Sequence, residues 1–168
     1  GFGNGRMQID FGMHIVNAPA GAPLRGILGY PSAGEYYAPD CEATGTQMPV
    51  PADGAIEANT GLACDNANED CHLLVAQGNM LYEGYRANAS GASGMQAQCL
   101  AVWKLDAVYP ASNRGDHCTS ADAAGFPIAP LLFNADEVYA ATQVANGDLG
   151  HAIRFILPNS RMATENGQ

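Results

Sequence analysis

Apolar and polar residues alternate with period two along Met7-Gln8-Ile9-Asp10-Phe11-Gly12-Met13-His14-Ile15-Val16. That pattern predicts a half-buried strand with Met7, Ile9, Phe11, Met13 and Ile15 toward the core. The clearest pairing is a hairpin, in which residues 71–76 and 81–86 flank Gln77-Gly78-Asn79-Met80. A two-residue primed turn at Gly78-Asn79 sets position 74 opposite 83 and 72 opposite 85, so His72 and Glu83 share a face. The nearly continuous apolar run Cys99-Leu100-Ala101-Val102-Trp103-Lys104-Leu105 predicts a central strand, and residues 151–157 a last one ended by Pro158. Between them, residues 134–147 read as one short helix. Asn134 caps it, Glu137 completes a capping box, and Gly147 marks its stop.

Residues 17–54 and 110–133 are rich in Pro, Gly and Ala and predict long loops with at most short edge strands. Short strands separated by such loops predict a mainly β fold: an antiparallel β-sandwich or jelly roll with one short helix near residues 135–146. With 168 residues, the chain suits a single domain spanning 1–168, and no internal repeat is visible.

Seventeen acidic residues oppose seven basic ones, and Lys104 is the sole lysine, for a formal charge of -10. A nucleic-acid partner requires a basic footprint to displace counterions, so nucleic acid is excluded, and anionic membranes with it. No apolar run reaches the roughly 20 residues of a membrane span.

The five cysteines contain no CxxC and no zinc-finger spacing, which favours disulfides over structural zinc. Cys64 and Cys71 bracket a polar loop, while Cys99 and Cys118 bracket a strand and its following loop, so the expected pairs are 64–71 and 99–118. Cys41 is then left over, as a buried thiol or as the mate of a cysteine elsewhere. Disulfides and scarce lysine place the protein outside the cell or in the periplasm.

No phosphate-binding loop, dinucleotide fingerprint or nucleophile elbow occurs. His72 and Glu83 are the best proton-transfer pair, weighed against a strand histidine and a carboxylate held by an arginine. Asp122 closes the loop Asp116-His117-Cys118-Thr119-Ser120-Ala121-Asp122, where turn chemistry is the plainer explanation for the hydroxyls. His151 begins an apolar face with Ile153 and Phe155, which suggests a core or cleft histidine. Tyr82, Tyr85, Trp103 and Arg154 are the candidate substrate contacts, and the loop tyrosines Tyr30, Tyr36 and Tyr37 are alternatives. No cofactor is expected. The acidic loop 65–70 is oxygen-rich like a calcium loop without EF-hand spacing, and the four histidines lack pair spacing, so calcium or a transition metal is the lesser alternative.

Cys118-Thr119-Ser120-Ala121-Asp122-Ala123-Ala124-Gly125-Phe126-Pro127-Ile128-Ala129-Pro130-Leu131-Leu132, Asp136-Glu137-Val138 and His151-Ala152-Ile153-Arg154-Phe155 resemble a family of secreted bacterial proteins of no assigned activity. The likeness extends to Gly54-Ala55-Ile56-Glu57, Cys71-His72-Leu73-Leu74-Val75, Leu81-Tyr82-Glu83 and Ala101-Val102-Trp103, covering most of residues 50–158. It implies a secreted bacterial protein and transfers no chemistry. Family members continue past the equivalent of Pro158, so a fragment, a processed form, self-assembly or a missing partner segment is expected as an alternative to a whole domain. The leading functional expectation is a secreted protein that acts on polysaccharide, cleaving glycosidic bonds by hydrolysis or elimination with His72, Glu83, Asp122 and His151 on one concave face. The alternative is a non-catalytic carbohydrate-binding module or a subunit of an extracellular assembly.

Overall fold

The computed structural model describes residues 12–30, 35–38, 41–64, 70–91, 94–112, 114, 120–122 and 124–156. The chain divides into two compact units, Gly1–Pro127 and Ile128–Gln168. Among its described residues the first carries seven strands: β1 (Ile15–Asn17), β2 (Leu24–Leu28), β3 (Gln47–Pro49), β4 (Leu73–Gln77), β5 (Met80–Tyr85), β6 (Met95–Gln96) and β7 (Cys99–Lys104). They form a four-stranded sheet in the order β1-β4-β5-β7 and a three-stranded sheet in the order β3-β2-β6. The fold is mainly β, and a single short α-helix occurs among the described residues. Both sheets are mixed: β1 with β4 and β2 with β6 are parallel, while β2–β3, β4–β5 and β5–β7 are antiparallel.

The hairpin forms in the register set by its turn: Gln77 faces Met80, Leu74 faces Glu83 and Leu73 faces Gly84. Gly78 supplies the positive φ of +59° that a primed turn needs. Leu73 and Val75 of β4 and Leu100 of β7 then point to one side. There they join Ile27, Met48 and Met95 of the other sheet in the core, with Val50 and Ile56 from the connecting chain. Gly84 lies where the two sheets approach, since a Cβ there would stand 3.4 Å from Met95 Cε and 3.2 Å from Ala87 Cβ.

The other side of the four-stranded sheet is buried as well. Leu74, Leu81, Glu83, Ala101 and Trp103 are all buried there, which explains why β4 and β7 read as continuous apolar runs instead of alternating ones. The expectation that β7 is central is corrected, because it ends the strand order. Its outer edge is covered by other parts of the chain. Leu100 N–H donates to the Tyr36 hydroxyl at 3.3 Å, Val102 N–H to Glu42 Oε1 at 3.3 Å and Lys104 N–H to the Tyr109 hydroxyl at 2.7 Å. Glu42 N–H in turn donates to the Leu100 carbonyl at 2.8 Å. An edge strand satisfied in this way offers no ladder to a further chain.

The same crossing explains the disulfides. Cys64–Cys71 forms as its spacing suggests, but Cys99 pairs with Cys41, 58 residues away. The expected 99–118 bond is therefore corrected, and Cys118 lies outside the described residues. Local bracketing failed because the segment carrying Cys41 and Glu42 runs along the free edge of β7.

Two other elements differ from the pattern. Of the strand expected over residues 7–15, residues 7–11 lie outside the described ones, and only Ile15–Asn17 are extended in a ladder. Parallel pairing sets Val16 beside Val75, so Val16 packs on the core and Ile15 is exposed. Residues 17–54 contribute β2, which is the middle strand of its sheet.

The second unit has a 3-10 turn at Ala129–Leu131 and α1 at Ala135–Thr142. Asn134 Oδ1 accepts from the Asp136 and Glu137 N–H groups, and Glu137 Oε2 accepts from Asn134 N–H, the reciprocal box that the sequence predicts. The helix ends at Thr142, five residues before Gly147, in successive turns. Residues 151–156 form no strand, a correction: they do not pair in a ladder, and Arg154 N–H donates to the Leu131 carbonyl at 2.9 Å.

Candidate functional site

Strand pairing brings His72, Glu83 and Tyr85 to the second face of the four-stranded sheet. Leu74 faces Glu83, Glu83 faces Ala101, Leu81 faces Trp103 and Tyr85 faces Cys99. His72 is 3% exposed, Glu83 0% and Trp103 1%. A carboxylate so deep needs donors, and the Trp103 indole N–H supplies one to Glu83 Oε2 at 3.2 Å. Trp103 meets Tyr109 edge-on at 5.3 Å, and the Arg114 guanidinium lies 5.3 Å from its ring centre. Arg114 also pairs with Glu42, the residue that covers the β7 edge.

His72 is held from three sides. Its Nδ1 lies 2.6 Å from Glu57 Oε2 and its Nε2 lies 2.8 Å from the Ala121 carbonyl oxygen. Glu57 Oε2 also accepts the His72 main-chain N–H at 3.2 Å, and Glu57 N–H donates to the His72 carbonyl at 2.9 Å. With Glu57 ionised, both ring nitrogens face acceptors, which the doubly protonated imidazolium satisfies. Burial pulls the His72 pKa down. The hydrogen bond and charge of Glu57, the Ala121 carbonyl and the charge of Asp70 together outweigh it and hold the pKa above the ordinary 6.5.

Asp122 is half-buried and engaged in a turn, with Oδ1 accepting from Ala124 N–H at 2.8 Å and its carbonyl accepting from the Ser120 hydroxyl at 2.6 Å. That is the loop chemistry expected of Ser, Thr and Asp; Asp116, His117, Cys118 and Thr119 lie outside the described residues. His151 and Arg154 belong to the second unit. His151 is exposed, its Nδ1 donates to the Ala152 carbonyl at 2.7 Å, and its Nε2 lies 3.9 Å from Glu137 Oε1. Tyr82 packs on the core, and Trp103 presents no face to solvent.

Tyr85 is half-buried, as are Tyr82 and Arg154. The Tyr85 ring stacks on Tyr37 at 6.2 Å with 21° between planes and lies 5.7 Å from the His72 ring. Burial, then the nearby Asp70 charge, push the Tyr85 phenol up, against the opposing pull of Arg86.

Glu57 was not among the sequence candidates, since an isolated acid after Gly54-Ala55-Ile56 carries no periodic signal. Its one clue was that a strand histidine flanked by Cys71 and Leu73 would be buried and need a charged mate. Among the described residues no three His, Cys, Asp or Glu side chains gather as a metal site, and residues 65–69 of the acidic loop lie outside them. Also among the described residues, no helix is long and apolar enough to cross a membrane. Comparison with family models, with curated proteins and with solved structures finds no match to this chain.

Proposed function

We propose that this chain is a carbohydrate-binding module of a secreted bacterial protein, with its sugar surface at Tyr37 and Tyr85. The observation that carries the reading is the stacked pair itself: Tyr37 is 48% exposed and rests on a Tyr85 ring that the sheet holds in place. A rigid, exposed aromatic plane suits the C–H face of a pyranose, with the phenols as polar handles. The exposed Asp70, whose charge reaches Tyr85, supplies an acceptor for sugar hydroxyls beside it. Two disulfides fit an oxidising compartment.

Glycosidic cleavage is the second reading, favoured by His72 and Glu83 sharing one sheet face. It asks those buried groups to meet a substrate, whereas the tyrosine surface is open to one as it stands. Affinity electrophoresis through a panel of neutral and acidic polysaccharides separates the readings. Retardation by at least one polysaccharide is expected, weakened about tenfold by Tyr37→Ala, as loss of a central aromatic contact does. Absence of binding across the panel, or product release that Glu83→Gln abolishes, would overturn the proposal.

A further inference from the structure

We infer that His72 is a pH-gated tie: its imidazolium fastens the segment 120–122 to the four-stranded sheet, and its neutral form lets that segment go. With Glu57 ionised, the geometry calls for two ring protons: the carboxylate Oε2 accepts at Nδ1 as it accepts the His72 main-chain N–H, and the Ala121 carbonyl at Nε2 can be nothing else. Removing either proton sets a nitrogen lone pair against an oxygen inside a buried site. The two contacts are not equally replaceable. Glu57 stays joined to His72 through two main-chain bonds, Glu57 N–H to the His72 carbonyl and His72 N–H to the carboxylate. The link to Ala121, 49 residues away, is a single bond from Nε2. It is the contact that gives way.

The groups around the ring agree on the charged form. Glu57 approaches from the segment after β3, Asp70 from the chain entering β4, and the Tyr85 ring from β5, with Arg86 next to it acting on the Tyr85 phenol. Asp122, on the tied segment itself, is turned to Ala124 N–H and the Ser120 hydroxyl. Ser120 and Ala121 are buried on the sheet, with the Ser120 carbonyl 3.7 Å from Cys99 Sγ. Release therefore opens the end of the face that holds Glu83 one rung further on.

Nitrogen-detected NMR of the wild-type chain reads the ring, and hydrogen exchange of peptides spanning 120–122 reads the segment. At about pH 6 both ring nitrogens are expected to carry protons. As the ring loses one on raising the pH, exchange in 120–122 is expected to rise about tenfold beyond its intrinsic base dependence, with the same midpoint. Glu57→Gln, which keeps the acceptor and removes the charge, is expected to move both midpoints down together. A singly protonated ring at about pH 6, or protection in 120–122 that is indifferent to the His72 titration, would overturn the inference.

Discussion

Glu57→Ala is expected to destabilise the chain by about 3–5 kcal/mol at mildly acidic pH, because removing one member of a buried ion pair strands the other. His72 would keep a ring nitrogen with no acceptor and a charge with no mate, 3% exposed. The cost depends on pH in a defined direction. A histidine whose pKa is raised on folding contributes stability that is fully present below its unfolded value near 6.5 and is lost as pH rises through the folded value. Wild type therefore loses this contribution from about pH 6.5 upward, and the gap to Glu57→Ala narrows over the same range. Urea unfolding of both chains at several pH values measures it. A gap that widens with pH would mean that His72 is neutral in the folded state.

The second large effect concerns Cys41–Cys99. By the chain-entropy relation, a bond closing a loop of 58 residues contributes about 4 kcal/mol. Cys64–Cys71, closing seven, contributes about 2.5 kcal/mol. The long bond also holds Glu42 and Tyr36 against the edge of β7, so its loss frees two strand N–H groups, those of Leu100 and Val102. Cys41→Ala with Cys99→Ala is thus expected to lower the melting temperature by roughly 10–20 °C, more than Cys64→Ala with Cys71→Ala. Peptide mapping without reduction should return a 41–99 cross-link. A 99–118 cross-link in the native protein, or a double variant as stable as wild type, would contradict the edge-strand account.

Local features were legible in the sequence and distant ones were not. The hairpin register followed from alternation around Gly78-Asn79, and the helix start from Asn134 and Glu137, because both are fixed by contacts within a few residues. The His72–Glu57 pair spans 15 positions, the tie to Ala121 spans 49 and the second disulfide 58. Each depends on where chain segments cross, which no periodicity records. The run through Trp103 is a strand, as its apolar character predicts, but it lies at the end of the strand order and not at the centre. Burial on both faces produces the same apolar run whether or not a second strand lies alongside. His72 and Glu83 came to one face as the register required, but neither of their nearest partners, Glu57 and the Trp103 indole, could be read from that register alone.

If recognition falls to the tyrosine surface, the titratable groups on this sheet are sealed parts of the fold. Exchange of the Trp103 indole proton tests this most directly, since that proton bonds the buried Glu83 carboxylate. Followed by NMR in deuterated buffer at about pH 6, where His72 is doubly protonated and the segment 120–122 is tied down, the signal is expected to persist for hours and to vanish only with opening of the sheet. Loss of the signal within seconds in a chain that remains folded would show that water reaches Glu83, and would return the catalytic reading to first place.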